Sequence, residues 1–323
     1  MKDIIYLARV ATQTMASMLS DANEFAQRSF ASEYTRRLAS TLLEDAVGQD
    51  DNWLRRKQAL LSMKGPALFK VDSDQELIDG VPCLRVRPKG HKKCARKILY
   101  FHGGGYVVGS ASSYHYTYAK LALILNAEVI GLDYSLSPEY SVDSILDEGL
   151  RVHDVVQELE RPQQLLLMGD SAGGGVVLAL GLALVQRGKL PANLSCVLIS
   201  PWVDPADMSL LDKSKEPGDL LNAKILTKWH DAVAKTKGYD AYVCFVGRDW
   251  TGFPPTIVQA AGAEMFLPQV DLRVADMEAA GVKVRYDVFP GQFHVFQTLA
   301  PLVKEGDLAW KNLAVGLEAL ARK

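Results

Sequence analysis

The chain has 323 residues, with 36 Lys and Arg against 38 Asp and Glu, and a formal net charge of −2. That length suits one large α/β domain or two ordinary ones, and the near-neutral balance gives no electrostatic footing for nucleic acid or an anionic membrane surface. At 48% hydrophobic and 23% charged residues, the composition is that of a folded globular protein and not of a disordered chain.

The first stretch, MKDIIYLARVATQTMASMLS, has Asp3 and Arg9 interrupting any apolar run and no small-residue cleavage site, so it does not read as a secretory signal. Ile4, Leu7, Ala8, Ala11, Met15, Met18 and Leu19 follow helical spacing and predict an amphipathic helix. Its polar face carries only Lys2 and Arg9, too few cations for a membrane-surface helix. Residues 1–64 read as helical throughout, broken near VGQDD at Val47–Asp51.

After Pro66 the pattern becomes short β-rich runs. They are LRVR at Leu84, KILYF at Lys97, AEVIGLD at Ala127, QLLLM at Gln164, LSCVLIS at Leu194, TIVQA at Thr256 and VKVRYDVF at Val282. Helical segments separate most of them, which predicts an α/β fold with a mainly parallel sheet covered on both faces. The segment from Trp202 to about Pro254 breaks the alternation, with one helix expected around LNAKILTKWHDAVAK, and reads as an insertion. The longest uncharged apolar run, Ala172–Val185, is too short to span a bilayer. The four cysteines (Cys83, Cys94, Cys196 and Cys244) form no Cys-x-x-Cys pair and no zinc-type spacing with histidine, and are expected as reduced thiols in a cytoplasmic protein.

Gly169-Asp170-Ser171-Ala172-Gly173 fits Gly-x-Ser-x-Gly and lies between a predicted strand and a predicted helix. Such a turn lifts the serine hydroxyl above the carboxyl edge of the sheet, at a helix N-terminus that favours developing negative charge. The Ala172 amide is a natural oxyanion donor. A strand also ends at His102, followed by Gly103, Gly104 and Gly105, the His-Gly-Gly-Gly arrangement that supplies further oxyanion amides. Gly104 and Gly105 are the expected donors, Gly103 shapes this oxyanion loop and His102 organises it. A dinucleotide loop does not fit here, because Gly-x-Gly-x-x-Gly read from Gly103 requires a glycine where Val108 stands.

A general base following the serine is either His230, inside the inserted helix, or His294, in FPGQFHVF just after the last strand. Placement favours His294; His91, His115, His153 and His230 read as surface or packing residues. The acid is expected after TIVQA, where Glu264 suits the strand-end loop, with Asp271 as the alternative and Asp276 further along. No His, Cys and carboxylate cluster suggests a metal, and the chemistry needs no cofactor.

The chain resembles the hormone-sensitive-lipase-like carboxylesterases, the bacterial type IV esterases of the α/β-hydrolase superfamily. The pieces that carry the resemblance are HGGGYVVGS, DYSLSPE at Asp133, GDSAGGG, SPWVD at Ser200, PPTIVQ, AEMFL and FPGQFHVF, in family order. The resemblance implies a core of about eight mainly parallel strands, at residues 65–202 and 253–323, with a helical cap from residues 1–64 and 203–252. It implies a serine carboxylesterase acting on small-molecule esters of short to medium chain, and it allows a homodimer. Departures are the glutamate at 264, where the family often has aspartate, and YSVDSILDE after DYSLSPE, which lacks the usual second proline. Ester, amide and lactone hydrolysis all use the same residues. A pure binding role, as in the plant gibberellin receptors of this fold, goes with loss of the histidine that stands here as His294.

Overall fold

A computed structural model describes residues 2–20, 28–61, 65–91, 94–300 and 302–321. Three helices come first: α1 (Lys2–Ser20), α2 (Phe30–Ala46) and α3 (Asp51–Leu61). The break between α2 and α3 falls at the VGQDD stretch. Ser29 caps α2 by accepting from the Ser32 amide, an interaction worth about 1 kcal/mol. The expected apolar face of α1 is only partly the face that packs. Val10, Thr14 and Met18 are buried, whereas Ile4 and Met15 are exposed. Polar contacts explain the rotation: the Tyr6 hydroxyl donates to Asp45 and the Lys57 ammonium to Asp3.

The sheet has eight strands in the order β1-β2-β4-β3-β5-β6-β7-β8. They are β1 (Val71–Ile78), β2 (Val81–Pro88), β3 (Arg96–Phe101), β4 (Ala127–Leu132), β5 (Gln164–Asp170), β6 (Leu194–Ile199), β7 (Thr256–Ala261) and β8 (Val284–Phe289). Seven of these are the strands expected from apolar patterning. β1, VDSDQELI, was not among them because it is a polar edge strand. It is held by hairpin pairing to β2 through Asp79-Gly80, both at positive φ, as a two-residue hairpin turn requires. The β1–β2 and β2–β4 pairs are antiparallel and the remaining neighbours are parallel.

Helices cover both faces. On β3, Leu99 and Phe101 point into one apolar cluster, while Ile98 and Tyr100 point into the other. The first cluster packs α5 (Val142–Val155), α6 (Ala172–Gln186) and α9 (Leu267–Ala279). The second packs α4 (His115–Leu125) and α10 (Lys304–Ala321). The segment between β6 and β7 forms short helical turns at Met208–Leu210 and Lys213–Gly218, then α7 (Ala223–Val233) and α8 (Tyr239–Tyr242). α7 starts where expected, with Asn222 accepting from the Ile225 amide at 2.9 Å, and packs against α2.

Candidate active site

Ser171 stands between the carboxyl end of β5 and the start of α6, at φ 53° and ψ −123°. A non-glycine residue at positive φ is strained, and here the surroundings hold it. Its amide donates to the Ile199 carbonyl and its carbonyl accepts from the Trp202 amide, each at 2.9 Å. Close approach accounts for the flanking glycines. A Cβ at Gly169 would lie 2.3 Å from the Gly173 carbonyl oxygen, and one at Gly173 would lie 2.0 Å from that of Phe101.

The other candidates gather at the same end of the sheet. Glu264 follows β7 and His294 follows β8, at 0% and 2% exposure. His294 Nδ1 is 2.9 Å from Glu264 Oε2, and Glu264 Oε1 accepts from the Ala261 amide at 3.0 Å. The Phe266 ring meets the imidazole edge-on, with centroids 4.8 Å apart. Phe266 in turn stacks on Trp202, the residue whose amide holds Ser171. Next to His294, Val295 takes φ 50°, an outlier for a β-branched residue, and its amide donates to Ser200 Oγ at 3.3 Å. With Nδ1 on the carboxylate, the imidazole presents Nε2, which has no hydrogen-bond partner among the described residues. The Ser171–His294 bond is therefore not closed in this structure, as is common before substrate binds.

Asp271 is not part of this constellation. It is exposed on α9 and accepts from the Tyr286 hydroxyl at 2.6 Å. His230 lies on α7 beside Asp231, and His153 is buried beside Asp154. His115 Nε2 bonds Ser73 Oγ at 2.7 Å, and His91 is exposed.

The glycine loop is tied to the nucleophile turn by Asp170. This buried carboxylate accepts from the Gly103 amide at 3.1 Å, the Tyr100 hydroxyl at 2.9 Å and the Tyr114 hydroxyl at 2.8 Å. Burial pushes its carboxyl up to about 6, against the lowering effect of those donors. The Gly103 amide is engaged in that bond, so this glycine shapes the loop. The amides of Gly104, Gly105 and Ala172 have no backbone or side-chain acceptor among the described residues. His102 is buried, stacks on Tyr134 at 4.3 Å and has Nδ1 2.9 Å from the Gly103 carbonyl, and burial lowers its pKa. Trp229 of α7 roofs the loop: a Cβ on Gly105 would lie 2.4 Å from its ring.

Sequence reasoning missed Asp219. It lies in the inserted segment, is 0% exposed, and its carboxylate reaches the amides of His294 and Met265. Its only sequence signal is an acidic residue in a polar, irregular stretch, which ordinarily reads as solvated surface.

The model of an alpha/beta hydrolase fold family matches residues 98–298, more than half of the chain. The chain belongs to that family. Among curated relatives, it is similar to the esterase LipU of Mycobacterium tuberculosis, at 31% identity over 65% of this chain and 73% of the relative. It is likewise similar to the carboxylesterase/phospholipase LipF of the same organism, at 32% identity over 68% of this chain and 60% of LipF. Among solved structures, it matches an esterase from the bacterial hormone-sensitive lipase family at 25% identity and a TM-score of 0.78, covering 88% of this chain and 97% of that one. Within the α/β hydrolases, then, this chain is a serine ester hydrolase of the hormone-sensitive-lipase type.

Proposed function

We propose that the protein hydrolyses short- to medium-chain carboxylic esters through a triad of Ser171, His294 and Glu264. The observation that carries this reading is the buried 2.9 Å contact between His294 and Glu264, at the same sheet edge as a serine held at positive φ. His294 Nε2 takes the proton as Ser171 Oγ attacks the ester carbonyl. The oxyanion rests on the amides of Gly104, Gly105 and Ala172, while Gly103 holds the loop in shape. His294 then gives the proton to the leaving alcohol, and the Ser171 acyl ester forms. Water, deprotonated by the same imidazole, attacks that ester and releases the acid. Glu264 accepts from Nδ1–H throughout and stabilises the imidazolium.

The described parts of residues 1–64, together with 203–252, form the cap in this reading; residues 1, 21–27 and 62–64 of that span lie outside the described residues. A cavity of about 240 Å³ supports the chain-length preference. Leu42, Leu43, Leu54, Leu220, Val295 and Leu299 line it, between the N-terminal helices, the insertion and the segment following His294. A larger groove of about 730 Å³ on α5 and α6 is charged, with Asp143, Asp147, Glu148 and Arg151; Ser171 lines neither space, and of the two only the smaller reaches Val295, next to His294.

The test is hydrolysis of a 4-nitrophenyl ester series from acetate to palmitate, with Ser171→Ala alongside. Activity peaking at short or medium chains and absent in the variant is the expected result; no hydrolysis by the folded parent would overturn the reading. We also infer a cytoplasmic location. Among the described residues no helix is long and apolar enough to cross a membrane. A homodimer belongs to the same reading through the resemblance alone, and sedimentation decides it.

A further inference from the structure

Asp219 is a buried carboxylate that the hydrolytic steps leave unused. It sits between the helical turn Lys213–Gly218 and α7, inside the inserted segment. Oδ1 accepts from the His294 amide at 2.9 Å and from the Leu220 amide at 2.8 Å. Oδ2 accepts from the Met265 amide at 2.9 Å, one residue beyond Glu264. One side chain of the insertion thus grips both the loop that carries the acid and the loop that carries the base. Removing a carboxylate from water is costly, and burial raises the Asp219 carboxyl pKa, with the nearby His294 acting in the opposite direction.

The residue is also held from outside. Arg36 Nη1 donates to the Asp219 carbonyl at 2.8 Å, and Arg28 Nη1 to the Gly218 carbonyl at 3.0 Å. Both guanidinium groups pair with Glu33 of α2, at 2.6 Å and 3.2 Å. From the same helix, Ser32 Oγ donates to Gln292 Oε1 at 3.3 Å, and the Gln292 carbonyl accepts from the Ala263 amide at 2.8 Å. The N-terminal helices and the insertion therefore converge on the two loops that must hold the imidazole against Glu264.

We propose that Asp219 is a positioning residue for His294 and Glu264, so that the inserted segment supplies part of the frame of the triad as well as a cover for the substrate. The proposal rests on the triad reading given above. The carboxylates around the imidazole are Glu264, Asp219 and Asp170, with Arg28 behind Asp219 and against Phe293. All three carboxylates favour the imidazolium that forms when Ser171 gives up its proton. An Asp219→Asn amide keeps the shape, loses the charge, and turns an N–H₂ toward either the Met265 amide or the His294 and Leu220 amides.

The experiment measures kcat and KM for 4-nitrophenyl butyrate across pH in the parent, Asp219→Asn and Asp219→Ala. The downfield proton resonance of His294 Nδ1–H is titrated in the same samples. Both variants are expected to lose about 10²-fold in kcat, the scale of a misplaced catalytic group, while KM stays nearly constant. The acid limb of kcat/KM and the midpoint of the resonance should both move to lower pH. Folded variants with unchanged kcat, limb and resonance would overturn the proposal. Failure of the esterase reading is a separate result, a parent inactive on every ester. The resonance then decides alone: shifted or lost in the variants supports the positioning role, and unchanged refutes it. If both Asp219 variants fail to fold, Arg36→Gln, which frees the Asp219 carbonyl from outside the site, replaces them. A kcat loss at nearly constant KM, with the His294 resonance displaced or broadened, supports the proposal, and parent-like values overturn it.

Discussion

The catalytic edge of the sheet and the helical segments above it are built differently. At the edge, chemistry-bearing residues sit at strand ends and are held by short backbone bonds. β5 and β7 are buried from near end to end, and Ser171, Glu264 and His294 each follow a strand directly. The overlying segments share the apolar core through Leu54, Ile225, Leu226 and Trp229, and they add long cationic side chains that reach main-chain carbonyls, both to the core and from one overlying segment to another. Arg55 Nε donates to the Val107 carbonyl at 2.9 Å, Lys228 Nζ to that of Ala46 at 3.0 Å, and Arg36 to that of Asp219. The proposed reacting groups thus stand at the ends of buried strands, while the proposed cap adds long-side-chain contacts that tolerate adjustment.

Substitutions at the edge should therefore cost the most. Ser171→Ala and His294→Ala are each expected to lower kcat about 10⁶-fold with an unchanged melting temperature, because the triad acts as a unit. Glu264→Gln, which offers the wrong donor to Nδ1, should cost about 10⁴-fold. A stopped-flow ester assay reads both, and a fall under tenfold in Ser171→Ala would break the rigid-edge picture.

The junction of the two regions comes next. Gly105→Ala places a methyl 2.4 Å from the Trp229 ring, at φ +62°, and should push α7 away or turn the amide off the oxyanion. A loss of about 10²- to 10³-fold in kcat is expected. Full activity would show that this amide is not a donor.

Asp170 links the nucleophile turn to the glycine loop at an energetic cost. Burial pushes its carboxyl up to about 6 from an ordinary value near 3.8, so the folded state holds the proton more tightly than the unfolded chain. The stabilising contribution is complete below about pH 4 and is lost as pH rises to about 6, amounting to about 3 kcal/mol. Asp170→Asn should abolish that slope. Urea midpoints recorded from pH 4 to 7 check it, and parallel curves for parent and variant would contradict the assignment.

The smallest effect is expected in the overlying helices. Leu43→Trp fills part of the 240 Å³ cavity and should shift the preference between butyrate and hexanoate esters toward the shorter chain by about tenfold. Acetate hydrolysis should stay within about twofold, as measured by kcat/KM ratios. An equal loss on all chains would mean that the cavity does not hold the acyl group.

Local pattern made the edge of the sheet readable. Seven strands announce themselves by short β-rich runs, Ser171 by its glycines, and His294 by its place after the last strand. β1 escaped because its polar residues satisfy an exposed hairpin and leave no apolar signature. The face of α1 was misjudged because the Asp3–Lys57 and Tyr6–Asp45 contacts turn the helix, and neither partner lies near in sequence.

From its sequence alone, this chain determined where the strands and turns lie and which serine and histidine stand at the sheet edge. Hydrophobic period and glycine spacing are properties of neighbouring residues. Only the tertiary structure decided that Glu264 and not Asp271 meets His294, that Asp170 takes the Gly103 amide, and that Asp219 joins the acid and base loops. Each of those contacts depends on where a folded chain brings a distant carboxylate, and a carboxylate reads the same in sequence whether it ends in solvent or is buried against backbone amides.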